Sequence, residues 1–417
     1  MKSDIIILGG GASGLAAAIT ASGQGASVTI IEHKDKIGRK ILVTGNGRCN
    51  LTNLNQDGVN YRGEQPGFAL QVLRNFGLDE TLGFFDSLGL LLKDRDGYVY
   101  PFSDQAAAVS DALRFKCAGQ GVHILTQTKA ENIALSKGKF QVRTRNGEGR
   151  GDTLQADRVI LSTGGMAAPQ NGSDGSGYCL AHGLGHSIIK PVPALTGLYC
   201  KETFFKGVAG VRTAARLNLY INEEWQMMEE GELQLTNYGI SGIPVFQISR
   251  FVSRALDCKK SVSVEIDLIP EYTANALKDF LLRQIVSNPN KTVEEHLYGI
   301  LNKKLAMLVL KLAGVNPSTP SVRVSDADIG KVVHLIKNIR VDIDHPNTFE
   351  FAQVSAGGVD TRQIHPQTLE SRLVPGLYIT GELLDIDGAC GGYNLQWAWS
   401  TGCLAGKAAA GERILYD

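Results

Sequence analysis

One segment constrains this chain more than any other: Gly9-Gly10-Gly11-Ala12-Ser13-Gly14, which satisfies G-x-G-x-x-G. It follows a short continuous apolar run at residues 4–8 and precedes a small-residue helical pattern at residues 15–22. The spacing predicts a strand, a tight turn and a helix. Gly25 then punctuates, and the β-branched run at residues 27–31 completes a βαβ unit of ordinary length. Gly9 serves the turn, Gly11 lets backbone approach a pyrophosphate, and Gly14 lets helix and strand pack closely. The helix N-terminus aims its N–H groups and its dipole at the phosphates. Glu32, eighteen residues after Gly14, is placed to accept from a ribose hydroxyl pair, and an acid there disfavours a 2′-phosphate. A glycine-rich turn without a ligand is the bland alternative.

Two later segments, Gly381-Glu382 and the run from Gly388 to Gln396, choose between NAD and FAD. Residues 158–162 end in Thr163-Gly164-Gly165, and residues 376–380 end in Gly381-Glu382. Both read as buried strands delivering glycines to one edge of a sheet. The glycine-rich run from Gly388 to Gln396 precedes a predicted helix at residues 394–407. A dinucleotide extending to an isoalloxazine ring needs such contacts far down the chain, so FAD is the expected cofactor. No second G-x-G-x-x-G follows a later strand. NAD(P)H, if it is the reductant, must therefore dock transiently; otherwise the substrate itself reduces the flavin, and oxygen or another acceptor takes the electrons.

Between these segments the texture changes. Residues 191–268 alternate as antiparallel strands do, for example at 216–222 and 261–267. Apolar spacing turns helical at residues 273–282, 292–313 and 328–337, with Leu297, Leu301, Leu305, Leu308 and Leu312 at steps of three and four. The expected fold class is α/β: a Rossmann-like FAD-binding domain, discontinuous, with an inserted β-barrel-like plus helical domain. The boundaries drawn are 1–190 and 346–417 for the FAD-binding domain, 191–270 for the β-rich insertion and 271–345 for the helical subdomain.

Composition narrows the function classes. At 417 residues the chain exceeds one ordinary core. Forty-two basic residues balance forty-two acidic ones, so no global attraction to nucleic acid or to an anionic membrane is expected. Seven scattered cysteines without C-x-x-C spacing disfavour a disulfide framework and a metal site, which fits a reducing, cytoplasmic setting. No apolar stretch of about 18 residues is present, so no transmembrane helix is expected. The predicted partner is a small-molecule substrate, and oligomeric state is not readable.

The motifs Gly38-Arg39-Lys40, Thr44-Gly45-Asn46-Gly47-Arg48-Cys49-Asn50, Gly172-Ser173-Asp174-Gly175 and Gly388 to Gln396 resemble those of the bacterial aminoacetone oxidase family of FAD-binding enzymes, relatives of the bile-acid reductase flavoproteins. The resemblance runs the whole chain in order. It implies one noncovalent FAD, with Gly9, Gly11, Ala12, Ser13 and Gly14 on the pyrophosphate and Glu32 on the adenosine ribose. It places Arg39, Lys40, Gly45, Asn46 and Gly47 along the flavin-side loop, and the backbone of Ala130 against adenine. Gly164 is to abut the cofactor, and Gly381, Glu382, Asn394 and Leu395 are to meet the ribityl chain and ring. A helix N-terminus there stabilises the negative charge of reduced flavin. A more distant likeness is to the fumarate reductase flavoproteins. Their substrate-binding His is not matched, because Gln353 and Ser355 occupy that neighbourhood, so a dicarboxylate substrate is not expected.

Arg48 and Tyr393, from the two flavin loops, are the expected catalytic residues. Arg48 would orient the substrate and Tyr393 would move a proton while hydride passes at flavin N5. A loop-fixing Arg48 and a ring-packing Tyr393 are the structural alternatives. Cys49 reads as structural, since disulfide-reductase flavoproteins carry two cysteines four residues apart and this loop carries one. Substrate is expected between the flavin ring and the insertion.

Overall fold

The computed structural model describes residues 2–411; residues 412–417, the tail of the expected segment 346–417, lie outside the described residues. The chain divides into two compact units. One is Pro193–Ala352, and the other is the chain on either side of it, up to Val192 and from Gln353 onward.

The outer unit is built on strands β1 (Lys2–Leu8) and β2 (Val28–Ile31) with helix α1 (Ala12–Gly23) between them. Ile5, Ile6, Ile7 and Leu8 are each at most 1% exposed, which is why the run is continuously apolar rather than alternating. Burying each such side chain contributes about 1.5–3 kcal/mol. β3 (His123–Leu125), β4 (Thr128–Ser136), β5 (Lys139–Asn146), β6 (Gly151–Leu161) and β7 (Leu377–Ile379) complete a seven-stranded sheet. Its order is β3-β2-β1-β6-β5-β4, with β7 paired to β6 as well. The pairs β1–β2, β2–β3, β1–β6 and β6–β7 are parallel, whereas β4, β5 and β6 form an antiparallel meander. Register sets Leu8 opposite both Ile31 and Leu161, and Leu161 opposite Ile379. Four strand C-termini therefore end in one line.

The final helix, α2 (Tyr393–Ala410), starts one residue earlier than the spacing predicts and buries Trp397 and Trp399. It lies close along α1 because Gly402 and Gly406, one turn apart, expose bare backbone to it. A Cβ at Gly402 would stand 2.3 Å from the Ser13 carbonyl oxygen, and one at Gly406 would stand 2.3 Å from that of Ala17.

The inner unit holds a closed barrel of six strands, Leu198–Cys200, Arg212–Ile221, Glu224–Leu235, Gly239–Ser241, Val262–Asp267 and Ile339–Pro346. The last strand falls in the segment expected to be helical. Its side chains alternate, with Ile339, Val341 and Ile343 buried and Arg340 and Asp342 exposed, and it closes the barrel against both Leu198–Cys200 and Val262–Asp267. Conversely, the segment expected to be β-rich contains the helix Ile243–Asp257, whose buried Val245, Ile248, Val252 and Ala255 repeat at steps of three and four. The predicted helix at 292–313 is broken in two, Val293–Leu297 and Lys303–Ala313, because the side chain of Asn302 accepts from the Lys304 amide and caps the second. Leu297, Leu301, Leu305 and Leu308 are buried, but Leu312 in the last turn is 42% exposed.

Candidate functional site

The line of strand ends in the outer unit gathers the residues singled out from the sequence. Gly9 follows β1, Glu32 follows β2, Thr163-Gly164-Gly165 lies past the end of β6, and Gly381 lies past the end of β7. Three backbone hydrogen bonds tie these ends together: the Gly9 amide donates to the Ile31 carbonyl, that of Ser162 to Leu8, and that of Thr380 to Leu161.

The fingerprint turn is tight because helix sits almost on strand. A Cβ at Gly14 would lie 2.0 Å from the Gly9 carbonyl oxygen. Gly11 differs: its φ is −82° and an added Cβ would meet no atom within 4 Å. Neither backbone handedness nor protein packing requires glycine there, so the open space before that backbone fits a bound group. Gly11 is also the N-cap of α1, and no side chain caps it. Ala12 and Ser13 therefore open a helix whose first N–H groups are left for a ligand, an arrangement suited to a pyrophosphate. Glu32 is 8% exposed and its carboxylate is fixed from within. One oxygen accepts from the Gly10 amide at 2.9 Å and the other from the Lys34 amide at 2.7 Å. Each oxygen keeps acceptor capacity for a hydroxyl. These features fit the dinucleotide half of FAD.

The ribityl side is assembled from distant segments. Lys40 and Glu382, 342 positions apart, form an ion pair at 2.7 Å, and the other Glu382 oxygen accepts from the Ser355 amide at 2.9 Å. Gly381 abuts the fingerprint, since a Cβ there would stand 2.7 Å from the Ser13 hydroxyl. Its own amide donates to the Thr401 hydroxyl at 2.9 Å, and its carbonyl accepts from the Trp397 indole at 3.0 Å. Gly164 packs on Ser173. Ala130 sits in β4 opposite Thr144, beside a bulge, and the amide of Thr128 at the head of that strand donates to the Glu32 carbonyl, which brings the strand to the ribose end.

Two expected contacts point elsewhere. Arg39 turns to Asp35, four positions earlier in the preceding bend, at 2.8 Å on the exposed surface. The Asn394 side chain is spent on its own loop: its Oδ1 accepts from the Gly388 amide and its Nδ2 donates to the Gly388 carbonyl, both at 2.8 Å. That amide closes the turn before α2, whose N-cap Gly392 carries no side-chain cap. Leu395 is half-buried against the core of the unit.

The loop from Thr44 to Arg48 is exposed, and Gly45, Asn46 and Gly47 follow one another at φ 54°, 54° and 80°. Cys49 behind it is fully buried, and burial raises its thiol from the ordinary value to about 12, outweighing a hydrogen bond with Thr44. Such a thiol stays protonated and structural. Arg48 is exposed and its charge is felt by Tyr100. Tyr393 is buried, its ring edge-on to Tyr61 with centroids 5.7 Å apart. Burial, and then Tyr98 and Asp57, hold its hydroxyl above the ordinary tyrosine range.

Sequence reasoning passed over Tyr98 and Tyr100. The strand Tyr98–Pro101 pairs with Thr52–Asn53 and Leu92–Arg95. Gly391 brings the rings of Tyr98 and Tyr393 together, as an added Cβ there would meet both, at 2.9 and 3.4 Å. The ring of Tyr100 lies 3.6 Å from where a Gly45 Cβ would be. Arg48 and Tyr393 are thus flanked by one pair of tyrosines. The signal was the alternation Tyr98-Val99-Tyr100, in which only Val99 is core. Asn50 joins the two loops: with its amide nitrogen donating to the Thr52 carbonyl at 2.9 Å, its oxygen accepts from the Gly392 amide at 3.2 Å.

Among the described residues no helix is long and apolar enough to cross a membrane. The sequence matches the HI0933-like protein Rossmann domain over residues 3–408. It is 47% identical over 406 residues to the 3-dehydro-bile acid delta(4,6)-reductase of Clostridium scindens, covering 97% of this chain and 98% of that protein. It is 29% identical over 401 residues to the ribosomal RNA dihydrouridine synthase of Haemophilus influenzae, covering 96% of each. The protein of the same description from Escherichia coli is 28% identical over 400 residues, again covering 96% of each.

Proposed function

The chain belongs to the HI0933-like Rossmann family, and from that membership we propose that this FAD-dependent oxidoreductase reduces a carbon–carbon double bond conjugated to a carbonyl in a small organic substrate. The observation that carries the reading is the 47% identity to a bile-acid delta(4,6)-reductase along nearly the whole of both chains. The names of the relatives share one chemistry, since making dihydrouridine also saturates a double bond next to a carbonyl. FAD supplies a hydride donor at N5, and NAD(P)H is the reductant that restores it. The substrate would gain a hydride on one carbon of the double bond and a proton on the other, two electrons and two protons in all.

In this reading Gly9, Gly11, Ala12, Ser13 and Gly14 hold the pyrophosphate, Glu32 holds the ribose, and the Lys40–Glu382 pair lines the ribityl chain. Arg48 polarises the substrate carbonyl, which its exposure and freedom in the loop support. Tyr393 delivers the proton, a role that rests on its place in the loop at the head of α2 and not on its acidity, which burial lowers. Tyr98 and Tyr100 give the substrate an apolar, aromatic wall. The balance of charges favours a small molecule over RNA as substrate.

The test is anaerobic. Flavin bleached by NADH or NADPH should be reoxidised in single turnover by a steroid dienone. Arg48→Ala and Tyr393→Phe should each slow that step at least tenfold, a loss typical of one charge-stabilising or proton-transfer group. Reoxidation by uridine-containing RNA alone would assign the chemistry to RNA. Bleaching by aminoacetone, with oxygen as acceptor, would assign an amine oxidase.

A further inference from the structure

The antiparallel hairpin of Leu92–Arg95 and Tyr98–Pro101 presents one face that the nucleotide site leaves unused. Register sets Lys93 opposite Tyr100 and Arg95 opposite Tyr98, and one step further out the Phe102 amide donates to the Leu91 carbonyl at 2.8 Å. Alternation puts these six side chains on one face, with Val99 and Pro101 buried on the other. Two diagonal contacts tie the face together. The Lys93 ammonium stands 5.2 Å from the centre of the Phe102 ring, and the Arg95 guanidinium 5.8 Å from that of Tyr100. The outer end is apolar and open to water, with Leu91 69% and Phe102 60% exposed.

The same face carries an excess of positive charge. Asp104 receives Lys93 and Arg95 on one oxygen, at 2.6 Å each, so one carboxylate answers two cations. Lys93 also donates to the Phe102 carbonyl at 2.9 Å, whereas Arg95 spends only Nη2 on the protein among the described residues. Its Nε and Nη1 are left to donate to an acceptor from outside. Asp94 alternates to the opposite face and accepts from the Gly97 amide at 3.2 Å.

The inner end of the face runs into the loops that hold Arg48 and Tyr393, through Tyr100 beside Gly45 and Tyr98 beside Gly391. Burial and then Tyr98 hold the Tyr100 hydroxyl above the ordinary tyrosine range; the formal charges it feels are those of Arg48 and Arg95, with no carboxylate among them. Exposed apolar side chains and an open cation on one strip fit an amphipathic anion. A nucleotide, polar along its length, would leave Leu91 and Phe102 in water. A fused-ring carboxylic acid covers them and brings its own charge to Arg95.

We propose that Arg95 is a specificity-determining residue of the reductase site, and that the substrate is an apolar fused-ring ketone bearing a carboxylate, with its ring body on Tyr100, Phe102 and Leu91 and its carboxylate on Arg95. The inference rests on the reading above that the reacting ketone lies at the Arg48 loop, and it adds which members of that class are preferred.

Binding to the oxidised, FAD-loaded protein is measured by perturbation of the flavin spectrum, with a steroid dienone bearing a side-chain carboxylate and with its methyl ester. The acid should bind at least about tenfold more tightly than the ester. Arg95→Gln should weaken the acid at least about tenfold and leave the ester within about twofold. Asp104 keeps Lys93 in that variant, so the hairpin stays tied. Phe102→Ser should weaken acid and ester alike, by about fivefold. In anaerobic single turnover at saturating acid, Arg95→Gln should reoxidise the flavin within about threefold of the parent rate, since Arg95 acts on binding and not on the reacting atoms. The proposal is overturned if acid and ester bind equally, if neither binds, or if Arg95→Gln weakens both by the same factor. Binding of the acid through Arg95 without any reoxidation of reduced flavin would uphold the carboxylate site while sinking the reductase reading.

Discussion

The fingerprint turn and the Thr44–Arg48 loop are both rich in glycine, yet they need it for different reasons. In the turn the constraint comes from neighbouring atoms: at Gly14 helix and strand approach until an added Cβ would sit 2.0 Å from a carbonyl oxygen. At Gly47 in the loop it comes from the backbone path, whereas Gly45 meets both constraints, since an added Cβ there would stand 2.9 Å from the Asn50 amide nitrogen. Three residues in a row are left-handed, one of them Asn46, while an added Cβ at Gly47 would come no closer than 4.0 Å to the Leu42 carbonyl oxygen. The first kind of glycine is part of the fold, and the second shapes what the fold presents. Gly11 is a third kind, required by neither packing nor handedness, and what remains is the ligand.

Substitution separates these kinds, beginning with the largest effect. Gly14→Ala should destabilise the cofactor-free protein by about 3 kcal/mol or more, because neither the helix nor the strand end is free to move away. Gly11→Ala should leave the stability of the cofactor-free protein within about 1 kcal/mol of the parent while weakening FAD binding at least tenfold. Urea unfolding of the stripped protein and fluorescence titration with FAD read the two quantities. Equal unfolding midpoints for Gly14→Ala and the parent would erase the distinction.

Glu32→Ala comes next. A hydrogen bond to a charged acceptor contributes about 1.5–3 kcal/mol, so FAD affinity should fall about tenfold to a hundredfold. The same carboxylate also receives the Gly10 and Lys34 amides, so the stripped protein should lose about 1 kcal/mol as well. Loss of affinity with no loss of stability would mean that those amides find water at no cost. Gly47→Ala should cost about 1–2 kcal/mol through the left-handed backbone alone.

The legibility of the molecule follows the same division. Gly9, Gly14 and Glu32 act within one βαβ unit, where separation in sequence fixes separation in space, and the turn, helix and strand lie where spacing put them. The barrel depends on strands that meet across long intervals: Leu198–Cys200 closes against Ile339–Pro346, and an eight-residue alternation beside a helical stretch was absorbed into the helix. At the site, polar residues were readable as present but not as occupied. Nothing local says that Asn394 spends its amide on Gly388 or that Arg39 turns to Asp35, because those partners compete with the ligand only once the chain is folded. Tyr98 and Tyr100 were hidden for a related reason. Aromatic residues alternating with valine read as one face of a strand, and only the meeting of loops 45–48 and 388–393 turns that face into a wall.

The smallest effect tests the loop from behind. Cys49, Cys117 and Cys403 are buried, and burial raises each thiol to about 12, whereas Cys179 and Cys258 are exposed. The folded state therefore holds these three protons more tightly than the unfolded chain, whose thiols titrate near 9. Their contribution to stability is complete below pH 9 and is lost as pH rises from 9 toward 12. At pH 8 a thiol reagent should label Cys179 and Cys258 at once and the three buried thiols only on unfolding. Between pH 9.5 and 11, Cys49→Ser should make the fall of stability with pH shallower by about 1.4 kcal/mol per pH unit, the share of one titrating proton. If Cys49 reacts as fast as Cys179 at pH 8, the loop opens on its own, and its left-handed path is not held in place by the residue buried beneath it.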